Sequence, residues 1–264
     1  MISVIMPAYN AAKTIQASIN SLIAQTYEDW ELIVIDDRSS DGTLEAIKQI
    51  AKLDSRIRYC ANESNLGTGQ TRNRGLTFSK GAWIAFLDSD DLWCEDKLEK
   101  QMSFIAKTGA LITYTATAYI NESGRLSRYS LRARYQLSYH ALLRRNIMSC
   151  SSVMVHKAVM MPFPDGDISE DYAVWLQILK KGNYAYGIDE PLLIYRMSAH
   201  SKSAKRLHAA RRTYNAYLDV GYGSFVARLL TLRYAIHSIV KRLLIRRGWL
   251  AQQVKSVIFT SDDL

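Results

Sequence analysis

Short apolar runs alternate with amphipathic segments through the first 95 residues of the chain. The apolar runs are rich in β-branched residues and cover residues 2–9, 30–37, 56–62 and 82–88. Between them, apolar residues recur at helical spacing in residues 11–25, 44–52 and 68–79. Because strands that alternate with helices form parallel sheets covered on both faces, this part of the chain is predicted to be an α/β structure with a largely parallel sheet.

The pattern is less regular after residue 95. Apolar spacing predicts helices over residues 95–107 and 169–182, the second ending at Gly182, and strands over residues 110–120 and 150–160. The remainder, residues 205–255, is predicted to be helical. Six apolar residues in this part lie four or three positions apart, which places them on one face of a helix. They are Phe225, Leu229, Leu232, Ile236, Ile239 and Leu243.

Polar side chains follow three of the predicted strands at the point where each strand ends. Right-handed crossovers bring the carboxyl ends of parallel strands to one edge of the sheet, where open α/β sheets bind their ligands. We therefore expect a ligand site at this edge. The side chains concerned are Pro7, Tyr9 and Asn10 after the first strand, Asp36 and Asp37 at the end of the second, and Asp88, Asp90 and Asp91 at the end of the fourth.

The sequence Asp88-Ser89-Asp90-Asp91 places three carboxylates in four positions. Carboxylates this close repel one another, which raises their pKa values unless a cation is bound. Oxygen ligands favour Mg²⁺ or Mn²⁺ over zinc, and such ions commonly bridge protein carboxylates to substrate phosphates. The alternative is an acidic turn that caps the helix beginning near Glu95, with Asp91 as a helix-start residue.

Positive charge is concentrated near the C-terminus. The net charge is +9, yet residues 1–195 carry 21 basic against 22 acidic residues, whereas residues 196–255 carry 13 basic against one acidic residue. A basic amphipathic helix can lie in the interface of an anionic membrane. The alternative is a helix that packs on the rest of the chain or on a second subunit. Charged residues interrupt the longest apolar run of this region, which argues against a membrane-spanning helix.

The basic region also suggests a nucleic-acid-binding protein, but no recognised nucleic-acid-binding module is present, and no nucleic-acid partner is expected. A nucleotidyltransferase is another alternative. It would usually begin with a glycine-rich, basic phosphate-binding loop, and the segment VIMPAYNAAKT contains no glycine. The three cysteines form neither a disulfide framework nor a zinc motif, which is typical of a cytoplasmic protein.

Five segments in order resemble the inverting nucleotide-sugar glycosyltransferases of family two, which have the GT-A fold. The segments are VIMPAYN, DDRSSDGT, NLGTGQTRNRG, FLDSDD and SEDYAVWL, and the resemblance covers about residues 2–200. It implies a Rossmann-like α/β domain over residues 1–204, with a nucleotide-binding half (1–95) and an acceptor-binding half (96–204). Residues 205–264 would form a helical, basic C-terminal extension.

The resemblance also implies roles for residues on the donor side. The nucleotide pocket would be lined by Pro7, Tyr9 and Asn10, and Asp37 would accept a hydrogen bond from the base. Arg72 would flank the nucleotide, and a surface helix residue is the alternative for it. Asp88 would touch the ribose or the metal, and Asp90 would coordinate Mn²⁺ or Mg²⁺ on the diphosphate. His200, in the basic segment 195–206, would complete the metal shell, and a solvated basic loop is the alternative for this segment.

On the acceptor side, Asp171 matches the catalytic base of the family. It would take the proton of the acceptor hydroxyl, while the metal stabilises the departing diphosphate. Asp171 would also lie at the start of a helix that Ser169 caps, and the two roles are compatible. Trp175, one turn later, either stacks on an acceptor sugar or belongs to the core.

These implications together describe a metal-dependent inverting glycosyltransferase with a nucleotide-sugar donor, in particular a UDP-sugar. The acceptor would be a glycan or a sugar linked to undecaprenyl diphosphate, in the synthesis of a bacterial surface glycan such as O-antigen, capsule or core. The protein is expected at the inner face of the cytoplasmic membrane, where the basic C-terminal helices would hold it on the anionic surface. The sequence leaves the donor sugar, the linkage and the oligomeric state open.

Overall fold

The computed structural model describes residues 1–197 and 206–253 of the chain. Its first part alternates strands and helices as the sequence predicts. The elements are β1 (Ile2–Ala8), α1 (Ile15–Ile23), β2 (Trp30–Asp36), α2 (Thr43–Ala51), β3 (Ile57–Ala61), α3 (Thr68–Phe78) and β4 (Trp83–Phe86). β1 lies between β2 and β4, β3 pairs with β2, and all these pairs are parallel.

The second part extends the same sheet with shorter strands and more antiparallel pairing. Its strands are β5 (Leu92–Trp93), β6 (Ile112–Asn121), β7 (Arg125–Ser127), β8 (Gln136–Leu137), β9 (Met154–His156), β10 (Ala185–Met197) and β11 (Trp249–Gln253). Its helices are α4 (Lys97–Thr108), α5 (Tyr139–Arg144), α6 (Glu170–Lys180), α7 (Arg206–Asp219) and α8 (Ser224–Arg247). The strand order is β11-β7-β6-β9-β4-β1-β2-β3, and β10 pairs with β5, β6 and β8.

The strands of the first part are buried on both faces, which explains why they appear in the sequence as continuous apolar runs. Every residue of β1 and of β2 is buried. α3 lies against β1 at Gly75, where an added Cβ atom would come within 2.5 Å of Ile5 Cγ2. A side chain at this position would force the helix away from the sheet. Gly75 therefore brings α3, and with it Arg72, close to the ends of the strands.

Two sequence predictions are wrong in this part of the fold. Residues 150–160 do not form one strand, because a 3₁₀ turn precedes and another follows the three residues of β9. The hydroxyl of Ser152 donates a hydrogen bond to the carbonyl of Ser149 (2.7 Å), a local bond that competes with strand pairing. The end of the region predicted as helical, residues 205–255, is also different. It contains the strand β11, which pairs antiparallel with β7.

The C-terminal helices pack on the α/β core. Ala227 and Ile245 of α8 are buried in the same apolar cluster as Trp175 of α6. A turn that contains Gly221, with φ of +98°, separates α7 from α8. In the described ranges, no helix combines the length and the apolar character needed to cross a membrane.

Candidate active site

The acidic turn after β4 is held by a serine that the sequence analysis did not select. The backbone N–H of Asp88 donates to Ser151 Oγ (3.1 Å), and the Ser151 hydroxyl donates to Asp91 Oδ2 (2.6 Å). Asp91 Oδ1 accepts from the backbone N–H of Arg196 in β10 (3.1 Å). Asp91 therefore joins the turn to β10, and the interpretation of Asp91 as a helix-start residue is wrong, because α4 begins at Lys97.

The three carboxylates of this turn differ in burial. Asp88 is partly exposed, Asp90 is half-buried and Asp91 is buried at 1% exposure. Burial, followed by the charges of Asp90 and Asp88, raises the pKa of Asp91 well above its usual range. Burial and the charge of Asp88 raise the pKa of Asp90 to about 6. The turn thus concentrates three carboxyl groups beside the carboxyl ends of the parallel strands, where burial and mutual repulsion oppose their ionisation.

Asp88 and Asp90 are suitable ligands for a hard divalent cation. Among residues 1–197 and 206–253, no group of three His, Cys, Asp or Glu side chains is arranged around a possible metal position. Mg²⁺ usually binds through one or two carboxylates together with substrate phosphates, so a complete protein shell is not required. The raised pKa of Asp90 reflects the electrostatic conflict that such a cation would relieve. His200, the predicted third ligand, lies outside the described residues.

Arg72 connects the acidic turn with the start of α6. Its Nη2 atom lies 2.6 Å from Asp88 Oδ1, and its Nη1 atom lies 3.3 Å from Glu170 Oε1. The side chain is 3% exposed, so the alternative of a surface helix residue is wrong. Glu170 also pairs with Arg212 of α7, which donates to the carbonyl of Ile168 as well. These buried ion pairs hold α3, α6 and α7 together around the site.

Asp171 lies beside this network in the first turn of α6. Its Oδ1 atom accepts from the backbone N–H of Tyr172 (2.7 Å), and the side chain is half-buried. Burial and the charge of Glu170 raise the pKa of Asp171 to about 6, while Arg72 opposes the shift. A carboxylate with this pKa is deprotonated at neutral pH and can still accept a proton, as a general base requires. Ser169 precedes the helix, but its hydroxyl makes no capping hydrogen bond.

Asp37, at the end of β2, organises the loop that leads into α3. Its carboxylate accepts hydrogen bonds from the side chain of Asn62 (2.7 Å) and from the backbone N–H groups of Leu66 (2.8 Å) and Gly67 (2.9 Å). Gly67 has a φ of +81°, a conformation that favours glycine. The predicted contact of Asp37 with a base would therefore use a carboxylate whose orientation this loop already fixes.

The other predicted nucleotide ligands lie at the end of β1. Pro7 is buried within the strand, whereas Tyr9 is 54% exposed at the rim. Asn10 has a φ of +50° and is held by the neighbouring loop, since its Oδ1 atom accepts from the backbone N–H of Ser40 (2.9 Å) and its own N–H donates to Ser39 Oγ (3.0 Å). The two loops after β1 and β2 thus fix each other next to Asp37.

A cavity of about 200 Å³ lies beside Glu170, between the first turn of α3 and residues 164–167. Arg212 and His208 also line it. An added Cβ atom at Gly69 would lie 3.2 Å from Glu170 Cγ, so the absence of a side chain lets Glu170 approach α3. Its lining combines polar and apolar surface in about equal parts.

Trp175 is a core residue, and the hypothesis that it stacks on an acceptor sugar is wrong. Its side chain is 1% exposed. The indole ring packs against Phe86 and Phe163, with ring centroids 5.8 and 6.1 Å away. The ring therefore supports the start of α6 from within the core.

The chain is similar in sequence to known proteins. A family model described as "Glycosyl transferase family 2" matches residues 3–164. A putative teichuronic acid biosynthesis glycosyltransferase, TuaG of Bacillus subtilis (strain 168), is 35% identical over 92% of this chain and 98% of its own length. WfgD of Escherichia coli, a UDP-Glc:α-D-GlcNAc-diphosphoundecaprenol β-1,3-glucosyltransferase, is 35% identical over 91% of this chain and 94% of its own.

Two solved structures are similar in fold. S. aureus TarS 1–349 in complex with UDP-GlcNAc matches with a TM-score of 0.68 and 18% identity, over 87% of this chain and 70% of TarS. The mannosyltransferase PcManGT from Pyrobaculum calidifontis, in complex with GDP-Man and Mn²⁺, matches with a TM-score of 0.67 and 16% identity, over 93% and 72% of the two chains.

Proposed function

The chain belongs to glycosyltransferase family 2, and we propose that it transfers a sugar, with inversion, from a UDP-sugar to a hydroxyl of an acceptor linked to undecaprenyl diphosphate. The family match and the curated relatives make it a glycosyltransferase of bacterial surface-glycan synthesis. The donor and acceptor classes are supported by WfgD, whose name gives a UDP-Glc donor and a diphosphoundecaprenol acceptor.

The observation that carries the proposed reaction is that Arg72 connects the carboxylates after β4 with those at the start of α6. Asp88 and Asp90 follow β4, Asp171 lies in the first turn of α6, and Arg72 lies between them with ion pairs to Asp88 and Glu170. In this reaction a diphosphate leaves on one side of the donor sugar, and an acceptor hydroxyl is deprotonated on the other side. The carboxylates that serve these two events must therefore be held at separate, fixed positions. The ion pairs of Arg72 provide that fixed arrangement.

In this reaction the acceptor hydroxyl oxygen attacks the anomeric carbon of the donor sugar from the side opposite the diphosphate. A glycosidic bond forms, the bond from that carbon to the diphosphate oxygen breaks, and its electron pair leaves with UDP. Asp171 takes the proton of the hydroxyl, for which its pKa of about 6 is suited. The loops of Asp37 and Asn10 would hold the nucleotide, and Arg72 would keep Asp88 in position.

We assign Mn²⁺ or Mg²⁺ to Asp88 and Asp90. The ion would bind the donor diphosphate and stabilise the charge that develops on it. Arg196 donates from Nε to the carbonyl of Asp90 (3.0 Å) and so fixes the turn that holds this carboxylate. The proposed division of the chain follows from these roles, with the donor bound by residues 1–95 and the acceptor by residues 96–204.

We further propose that residues 205–264 hold the enzyme on an anionic membrane through α8. This helix reaches the apolar core through Ala227 and Ile245 but exposes most of its large apolar residues, unlike an ordinary surface helix. Arg228 and Arg233 are exposed on opposite flanks of the apolar stripe, where they can meet lipid phosphates. The exposed apolar residues are Phe225, Val226, Leu229, Leu232, Ile236, Ile239, Val240, Leu243 and Leu244.

The experiment that tests the proposed function is thermal stabilisation of the purified protein by UDP, GDP, CMP and dTDP, each with Mn²⁺ and with EDTA. A ligand that binds only the native state raises the melting temperature by mass action. We expect the largest rise with UDP plus Mn²⁺ and little rise with UDP plus EDTA. Equal stabilisation by all four nucleotides, or by UDP with EDTA, would contradict the donor and metal assignments.

A further inference from the structure

The inner side of α8 has polar residues that lie toward the start of α6, where Asp171 is found. Tyr234 packs its ring against Tyr172, the residue after Asp171, with centroids 5.6 Å apart. Seven residues later, and therefore on the same side of the helix, Lys241 is half-buried. Lys241 thus lies on the core side of a helix whose opposite side is the exposed apolar stripe.

Lys241 and Arg145 lie against a pair of tyrosines. Lys241 Nζ is 5.8 Å from the ring centroid of Tyr119, and Arg145 Nη2 donates to the hydroxyl of Tyr129 (3.0 Å). The rings of Tyr119 and Tyr129 are 6.1 Å apart. The four side chains come from β6, the segments after β7 and α5, and α8, so the tertiary fold brings them together.

These two cations are not neutralised by a neighbouring carboxylate. Within residues 1–197 and 206–253, neither Lys241 nor Arg145 has a carboxylate oxygen within 4.0 Å. Burial and the charges of Arg145 and Arg242 lower the pKa of Lys241 to about 8, and Asp171 is the acidic group that opposes this shift. Arg145 is exposed and Lys241 is half-buried, so an anion can reach both side chains, and a bound anion stabilises a group of like charges.

The hydroxyl of Tyr119 is a second, independent sign of a ligand. Tyr119 is 3% exposed, and its hydroxyl has no hydrogen-bond partner among the described residues. A buried hydroxyl without a partner is costly, so such groups usually meet a ligand or a water molecule. The ring of Tyr119 also lies 5.8 Å from that of Tyr195, whose pKa is raised well above its usual range by burial and then by the charges of Asp91 and Asp90. The cluster therefore adjoins both the acidic turn and Asp171.

We propose that Lys241, Arg145 and the hydroxyl of Tyr119 form an anion subsite for the diphosphate of the lipid-linked acceptor. This inference rests on the proposed function, in which the acceptor sugar is attached to a lipid through a diphosphate. The two cations match the charge of such a group, and the rings of Tyr119 and Tyr129 provide an apolar wall for the adjacent sugar or lipid. Binding there would keep the acceptor sugar beside Asp171, with its lipid on the side of α8.

The test uses geranyl diphosphate as the probe, because it carries a lipid diphosphate and no sugar. Its binding to the full chain is measured by calorimetry in EDTA, which prevents metal-dependent binding at Asp88 and Asp90. We expect Lys241→Met and Arg145→Met each to weaken binding about tenfold or more, the effect of losing one charge-assisted contact. Tyr119→Phe, which removes only the hydroxyl, should weaken it severalfold, and Lys241→Arg should restore much of the affinity.

Lys107→Met is the matched control, because Lys107 is an exposed cation of α4 that belongs neither to this cluster nor to α8. It should bind geranyl diphosphate as the unchanged protein does, and so should Asp90→Asn. Lys241→Met, Arg145→Met, Tyr119→Phe and the control must keep their stabilisation by UDP with Mn²⁺, which shows that they are folded, whereas the folding of Asp90→Asn is checked by circular dichroism.

The inference is overturned if the unchanged protein does not bind geranyl diphosphate in EDTA, or if Lys241→Met and Lys107→Met bind it equally. It is also overturned if Asp90→Asn weakens binding as strongly as Lys241→Met, since the probe would then occupy the donor site. UDP stabilisation separates the two proposals. If UDP with Mn²⁺ stabilises the protein while geranyl diphosphate does not bind, the subsite is wrong and the donor assignment stands. Absence of UDP stabilisation would instead contradict the proposed function.

Discussion

The guanidinium of Arg72 lies 3.3 Å from Glu170 Oε1 and, through its other terminal nitrogen, 2.6 Å from Asp88 Oδ1. Residues that are far apart in sequence, on α3, α6 and the turn after β4, are thereby fixed relative to one another. Arg can bridge two carboxylates because its guanidinium presents several N–H donors in a rigid plane, whereas Lys offers a single ammonium.

Arg72→Met should destabilise the protein and remove transfer, because it leaves Glu170 and Asp88 without their shared partner. We expect a loss of about 2–4 kcal/mol in the free energy of unfolding, somewhat below the full cost of breaking a buried pair, since Asp88 is partly exposed. Arg72→Lys should recover only part of the activity. Urea unfolding measures the effect, and Arg132→Met, which removes an exposed ion pair with Asp189, is the control. A loss no larger than that of the control would contradict the bridging role.

Asp90→Asn should abolish stabilisation by UDP with Mn²⁺ and metal-dependent turnover of the donor. In the absence of metal, the same variant should be more stable than the unchanged protein at pH 7.5. The folded-state pKa of Asp90, about 6, is higher than its ordinary value of 3.8, so the folded protein binds this proton more tightly and loses stability as pH rises from about 4 to 6. The gain in the free energy of unfolding should be about 1–2 kcal/mol, discounted for partial exposure.

The control for this prediction is Asp91→Asn. Asp91 accepts hydrogen bonds from Ser151 and from the backbone of Arg196, so its amide variant should loosen the turn. We expect Asp91→Asn to be less stable than the unchanged protein near neutral pH. It should respond to Mn²⁺ only if the turn still forms. If unchanged turnover with Mn²⁺ were found in Asp90→Asn, the metal assignment would be wrong.

Asp171→Asn should leave UDP affinity nearly unchanged and remove sugar transfer, because the amide cannot take the proton of the acceptor hydroxyl. In the unchanged enzyme, kcat should rise with pH through about 6, as Asp171 loses its proton and becomes competent as a base. Steady-state kinetics from pH 5 to 8, together with calorimetric UDP binding, measure both effects. A parallel loss of UDP binding in Asp171→Asn would show that the residue has a structural role instead.

Membrane association should depend on the outer side of α8. The double variant Leu232→Gln with Ile236→Gln removes two exposed apolar residues and should reduce sedimentation with vesicles of phosphatidylglycerol about tenfold, with little change in UDP affinity. Substitutions are preferable to deletion of the helix, because Ala227 and Ile245 belong to the core.

Leu53→Gln is the control for the vesicle experiment, since Leu53 is highly exposed outside α8. Vesicle binding that is equal in the control and the double variant would contradict the membrane assignment. If the double variant instead converts a dimer to a monomer in analytical ultracentrifugation, the apolar stripe is a contact between two copies of the chain.

The sequence predicts the parallel half of the fold well because its strands are buried on both faces. β1 and β2 consist of buried residues only, and such runs are recognisable without knowledge of their neighbours. The strand β11 is different, because it depends on pairing with β7 more than a hundred residues away. Local periodicity contains no information about that partner, and helix was predicted instead.

The sequence predicts the site residues that lie in recognisable motifs. It does not predict those that only tertiary packing brings to the site. Asp88, Asp90 and Asp171 lie in recognisable segments and are brought to one region, although their proposed roles stay predictions. Arg212 and Lys241 come from helices outside those segments, and only the tertiary packing brings them near. The apolar stripe of α8 is present as the sequence predicts, but periodicity alone does not tell whether it faces the core or the solvent.

The thickness of α8 fixes the distance between its exposed apolar stripe and the polar residues on its inner side. A helix with its side chains is about 10–12 Å across, so an enzyme that rests its apolar stripe on a membrane holds Lys241 and Tyr234 about one helix diameter above the lipid surface. A sugar attached directly to a lipid diphosphate lies within that height, whereas the end of a long glycan extends beyond it. This geometry would act as a ruler that selects acceptors early in chain growth, by their height above the bilayer.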